Sequence, residues 1–79
     1  MAILRAVNRI RDLRLERAKT FPTLFTAASL AARISVTETT LLRWERGESR
    51  PHARHLRQLA KELGVTVEEL DLNADADRD

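Results

Sequence analysis

Between Phe25 and Pro51 the chain reads FTAASLAARISVTETTLLRWERGESRP, and no other stretch restricts the fold so tightly. Apolar residues fall at Leu30, Ala31 and Ile34, then again at Leu41 and Trp44, spacings that place each set on one side of a helix. Thr26 and Thr37 precede the two patterns, where a hydroxyl can accept a hydrogen bond from a first-turn amide. Gly47 follows the second pattern as a left-handed cap, because a residue without Cβ adopts positive φ cheaply. The stretch therefore reads as two short amphipathic helices joined by a tight turn. The second, over about residues 37–45, turns Glu38, Thr39 and Arg43 toward solvent. That layout suits a helix-turn-helix, whose second helix enters the DNA major groove.

The flanking sequence extends the helical reading. Ile3, Val7, Ile10 and Leu13 predict one long amphipathic helix near residues 3–18, which Pro22 brings to an end by disfavouring helix at Phe21. Leu56, Leu59, Ala60 and Leu63 predict a fourth helix, terminated by Gly64. Thr66 and Glu69 have the spacing of a capping box and open a short fifth helix carrying Val67 and Leu70. There is no internal repeat and no strand-like alternation, so the expected fold class is all-α with five helices. One domain is expected over residues 1–72, with the helix-turn-helix proper at about 26–46. The tail at 73–79 is small and acidic and reads as disordered.

Seventy-nine residues suffice for one small domain with a modest core, and no cysteine is present to reinforce it with a disulfide. The lack of cysteine fits a reducing compartment. No apolar run approaches the length of a membrane span; Arg5, Arg9 and Arg11 interrupt the first helix. The charge is unevenly distributed: residues 1–67 carry 13 basic and 6 acidic side chains, whereas the last twelve carry six acids and one base. A basic body is the electrostatic footprint of a polyanion binder, although arginines also solvate helices without any partner.

Catalysis finds little support. His52 and His55 lie three residues apart at a helix start but lack a cysteine or a suitably spaced carboxylate to complete a metal site, so no metal is expected. No recognised nucleophile motif occurs, and two glycines cannot build a phosphate-cradling loop. The chain is expected to be no enzyme and to need no cofactor. Trp44, at helical spacing from Leu41, reads as core rather than as a stacking platform for bases.

Thr26, Leu30-Ala31, Ile34, Val36-Thr37, Leu41, Arg43-Trp44-Glu45-Arg46-Gly47 and Pro51, continued by Leu59-Ala60, Leu63-Gly64-Val65 and Glu68-Glu69-Leu70, form a pattern over roughly residues 10–71. It resembles the lambda-repressor/Cro-like (XRE) family of helix-turn-helix regulators. The resemblance implies a five-helix lambda-repressor-like domain with base reading at Glu38, Thr39 and Arg43. Their chemistry is suitable: an arginine fork matches guanine O6 and N7, a carboxylate accepts from cytosine N4, and a threonine methyl can meet thymine. Backbone contacts are expected from Thr26, Thr37, Thr40, Arg46 and Arg50, with Arg33 and Arg54 as further candidates; such contacts add affinity but no sequence information. The resemblance also pairs Glu45 with Arg14.

The implied function is a transcriptional regulator, a repressor, that binds a palindromic operator in duplex DNA as a homodimer. One short helix reads too few base pairs to be selective, and twofold symmetry doubles the contacts. The family's pairing region corresponds to Val65, Val67, Leu70 and Leu72, with the apolar first helix as a competing surface. The expected location is cytoplasmic and nucleoid-associated, in a bacterial, archaeal or phage-type setting, with no membrane. Three departures stand out: a longer first connection that places Phe21 and Leu24 before the anchor Phe25, Ala27 in place of a glutamine, and Ser35 in place of the turn glycine. The surplus Phe21 and Leu24, Ala27 and the acidic tail leave room for an alternative, a protein-interaction module (antitoxin or adaptor) with a protein partner and secondary or no DNA binding.

Overall fold

The computed structural model describes residues 9–70. Five helices follow in order: α1 Ile10–Ala18, α2 Ala27–Arg33, α3 Glu38–Glu45, α4 Ala53–Leu63 and α5 Val67–Leu70. No strand occurs among the described residues. Ile10, Leu30, Ile34, Leu41, Leu59 and Leu70 are fully buried, so every helix sends an aliphatic side chain into one shared core, and Ile34 joins it from the C-cap of α2. Each such burial contributes about 1.5–3 kcal/mol. Trp44 is buried beside them, as its spacing from Leu41 requires.

The helix boundaries follow from local chemistry. Thr26 Oγ1 accepts from the Ser29 amide at 3.0 Å, and Thr37 Oγ1 accepts from the Thr40 amide at 3.1 Å, capping α2 and α3. Thr66 and Glu69 exchange reciprocal bonds of 2.8 and 3.1 Å, the capping box that starts α5. At the far end of α3, Gly47 takes a φ of 78°. Its amide bonds the Trp44 carbonyl at 3.0 Å and the Glu48 amide bonds the Arg43 carbonyl at 2.9 Å. This paired arrangement is a Schellman motif, and it returns Glu48 to the last turn of the helix. The end of α2 has the same pattern, with Ser35 to Ala32 at 3.1 Å and Val36 to Ala31 at 3.0 Å. Here Ser35 is the left-handed residue, at φ 63°.

The long first helix differs from expectation. Arg9 is non-helical, with φ −116° and ψ 24°, and its amide donates to the Leu70 carbonyl at 2.7 Å. The chain at Arg9 is tied to the end of α5, so a helix does not run continuously through it from residue 3. Ile3, Val7, Leu72 and the acidic segment 73–79 lie outside the described residues.

A buried ion pair joins α1 to α3. Arg14 Nε donates to Glu45 Oε2 at 2.6 Å and Nη2 to Oε1 at 3.1 Å, while Nη1 reaches the Phe25 carbonyl at 3.2 Å. The side chains are only 10% and 1% exposed. Such a pair is stable only when its hydrogen bonds are satisfied, which the fork geometry achieves.

Two stability measurements test this account. Arg14→Met or Glu45→Gln alone should destabilise by about 3 kcal/mol or more, because each strands a buried charge, and the double variant should recover much of that loss. Small additive losses in denaturant melts would show that the pair is uncoupled. Ser35→Gly should stabilise by about 0.5–1 kcal/mol by removing the Cβ from a left-handed position. A lowered unfolding midpoint would show that the serine side chain contributes more than its backbone strain removes.

Candidate nucleic-acid interface

Helices α2 and α3 pack on each other across the Ser35–Val36 turn, and their shared buried surface decides what α3 exposes. On α3 the buried residues are Leu41, Trp44 and Glu45. At 3.6 residues per turn, Thr39 and Arg43, and Arg46 at its C-cap, stand opposite that stripe, and Glu38 and Thr40 flank it on either side. Thr39, Arg43 and Arg46 are exposed, as is Glu38; Thr40 is half-buried. Glu38 occupies the first helical position, where its charge also complements the positive end of the helix. The Thr37 hydroxyl donates to Thr40 Oγ1 at 2.8 Å while accepting from the Thr40 amide. This pair of hydrogen bonds between cap and first turn fixes both hydroxyls at the N-terminus of α3.

The two capped helices thus form a rigid corner with a polar, partly basic face on its second member. A helix-turn-helix family model matches residues 10–70, which takes in all five helices. The chain belongs to the lambda-repressor/Cro-like (XRE) helix-turn-helix family. It is accordingly a DNA-binding transcriptional regulator. No curated protein and no solved structure matches it. No helix among the described residues is long and apolar enough to cross a membrane.

Within this helix-turn-helix domain the arginines divide into two groups. Arg33 is structural: its Nε bonds Glu62 at 2.8 Å, its Nη1 bonds the Leu24 carbonyl at 2.7 Å, and its guanidinium lies 4.9 Å from the Phe25 ring centroid. Its donors hold the connection between α1 and α2, which argues against its candidacy as a phosphate ligand. Arg43, Arg46, Arg50 and Arg54 are exposed on α3, its following loop and α4. Arg46 Nε and Nη2 bond the two Glu48 oxygens at 2.8 and 3.2 Å, and Arg43 Nε lies 3.8 Å from Glu48 Oε1. The hydrogen bond to Glu48 and the carboxylate's charge hold the Arg46 pKa above its ordinary value.

Three residues of the expected pairing region lie among the described residues, and they differ in burial. Leu70 is 0% exposed and sits in the hydrophobic core with Ile10 and Leu59. Val65 and Val67 are half-buried against that core, so they retain some outward surface. Phe21 and Leu24 are the more accessible apolar groups, at 46% and 50%. With Arg17, Phe25, Arg33 and Glu62 they line an open groove of about 300 Å³. Phe25 itself is buried, as an anchor should be, and Ala27 is buried where a longer side chain would have to turn outward.

Sequence reasoning missed three residues. Glu48 escaped because an acid in a basic loop looks like ordinary solvation; its spacing from Arg43 and Arg46 was the available signal. Glu62 lies 29 residues from Arg33, beyond any local pattern. His55 is weighed in the sequence as a metal ligand, yet it is half-buried with its ring 5.3 Å from Trp44, and its buried Nδ1 lacks a hydrogen-bond partner.

Burial lowers the His55 pKa, with the charges of Arg54 and His52 adding to the effect. The neutral ring is therefore favoured in the folded state. Its contribution to stability is complete above the ordinary histidine pKa of about 6.5 and is lost as pH falls through the lower folded value. Wild-type protein should lose more stability between about pH 7.5 and about pH 5 than His55→Gln does. Parallel denaturant melts at the two pH values measure this difference; equal losses would show that His55 titrates as it does in the unfolded chain.

Proposed function

We propose that this regulator is a repressor that binds a roughly palindromic operator as a homodimer, laying α3 in the major groove of each half-site. The observation that carries this reading is the α3 surface, where Thr39, Arg43 and Arg46 stand opposite the buried Leu41–Trp44 stripe. Arg43 reads a guanine, with Glu38 and Thr39 addressing neighbouring pairs. Arg46 and Arg50 take phosphates beside the groove. Thr26, Thr37 and Thr40 place capped helix N-termini against the backbone, where amides and the helix dipole favour an anion. Half-sites about one helical turn apart match a dimer of so small a domain. The setting that suits such a protein is the cytoplasm, in association with the nucleoid.

The groove at Phe21 and Leu24 favours a second reading, a module that holds another protein with DNA binding secondary or absent. Salt-titrated binding to random duplex DNA separates the two. A DNA regulator loses affinity steeply as salt rises, and a pure interaction module shows no such binding.

Selection of bound sites from a random duplex pool, followed by variants, tests the residue assignments. Arg43→Ala should lose about 1–3 kcal/mol on the selected site and relax preference at one G·C pair. Arg46→Ala should weaken binding to all sequences alike and reduce the salt slope by about one unit. Glu38→Gln should hold or raise total affinity while shifting preference toward adenine. Selected sites without twofold symmetry, together with a monomer in sedimentation, would remove the dimer from the proposal. Unchanged base preferences in all the α3 variants would remove the helix from the groove.

A further inference from the structure

We infer that Glu48 is a positioning residue for sequence discrimination: its carboxylate buttresses Arg43 for base reading and Arg46 for the backbone. The inference rests on the proposed placement of α3 in the major groove.

The backbone supplies the first part of the argument. The Schellman turn at Gly47 sends the Glu48 amide to the Arg43 carbonyl at 2.9 Å. This contact sets Glu48 beside the exposed face of α3's final turn by main-chain bonds rather than by a flexible side chain. The carboxylate is then within ion-pair distance of two guanidiniums at once, through Arg46 Nε and Nη2 at 2.8 and 3.2 Å and through Arg43 Nε at 3.8 Å.

The donor inventory supplies the second. A guanidinium has five N–H groups, and bidentate recognition of guanine can use the two terminal nitrogens alone. Arg43 faces Glu48 through Nε, so its terminal pair remains compatible with guanine O6 and N7 while the carboxylate orients it. Arg46 faces Glu48 through Nε and Nη2, which leaves Nη1 for a phosphate oxygen. A carboxylate that merely competed for the arginines would have to leave when DNA arrives. In this geometry Glu48 can stay in place, and it restricts the number of directions in which Arg43 can point.

Two opposing consequences follow from removing the acid. Loss of a negative charge near the DNA backbone strengthens binding to any sequence. Loss of the buttress frees Arg43 to swing to phosphates, so the preference for its base pair falls. The ratio of cognate to non-cognate affinity therefore drops even as non-cognate binding rises.

The test compares wild type, Glu48→Ala and Glu48→Gln on the selected operator, on the operator with the Arg43-facing pair changed, and on random duplex. Glu48→Ala should bind random duplex about threefold more tightly and lose about tenfold in discrimination at that pair. Glu48→Gln lacks the charge but keeps an acceptor oxygen, so it should gain the same non-cognate affinity while retaining more of the discrimination. A uniform rise across all three duplexes in both variants would reduce Glu48 to a repelling charge and overturn the inference. The Nε–H resonances of Arg43 and Arg46 in the DNA-free protein give a separate reading; both should move in Glu48→Ala, and an unmoved Arg43 signal would also overturn it. Wild type that selects no site would instead overturn the groove placement itself, an outcome distinct from intact selection that Glu48→Ala leaves unaltered.

Discussion

The orientation of α3's exposed face depends on a charge inside the protein. Arg14 reaches from α1 to Glu45 on α3 and to the Phe25 carbonyl just before α2, so one guanidinium ties together three segments that are distant in sequence. A buried ion pair adds little net stability compared with well-packed aliphatic groups, but its geometry is demanding. A slipped or rotated α3 would strand two desolvated charges. An oily contact at the same place would tolerate rotation, because apolar burial is non-directional. The pair thereby helps to fix which side of α3 is outward, a matter of direction rather than of added stability.

Helix termini supply the remaining constraint. Thr26 and Thr37 start their helices with side-chain caps, and Ser35 and Gly47 end them with left-handed residues. At Ser35 the chain accepts a backbone conformation disfavoured for any residue with a Cβ, so the turn between α2 and α3 is kept at the expense of some local strain. At Gly47 the same geometry carries no such strain. It folds the following loop back on α3 and so brings Glu48, Arg43 and Arg46 together. A device that terminates a helix also assembles the charged edge of α3.

The basic character of the chain thus has two origins. Arg14 and Arg33 spend their donors on Glu45, Glu62 and main-chain carbonyls, holding α1 to α3 and α2 to α4. Arg33 also lies over Phe25, as Arg17 does at 5.5 Å, so the anchor of the α1–α2 connection is flanked by cations. Arg43 and Arg46 face outward around Glu48. Net charge alone does not distinguish the two uses, because the separation depends on which acid each arginine meets.

Much of this was legible in the sequence wherever the cause was local. Capping threonines, the capping box at Thr66 and Glu69, helix ends at Gly47 and Gly64, and the buried spacing of Leu41 and Trp44 each depend on residues within a few positions of one another. The pairing of Arg14 with Glu45 could be expected only through family resemblance, since 31 residues separate them. Tertiary structure alone decided the rest. It started α1 at Ile10, with Arg9 bonded to Leu70, and it placed Leu70 fully in the core. It also assigned Arg33 to Glu62 and set His55 against Trp44. Periodicity determines which face of a helix is apolar, whereas burial depends on what the chain brings to that face from elsewhere. The sequence by itself determined the helices and their caps, and packing between them decided which of the polar and apolar groups remained available to a partner.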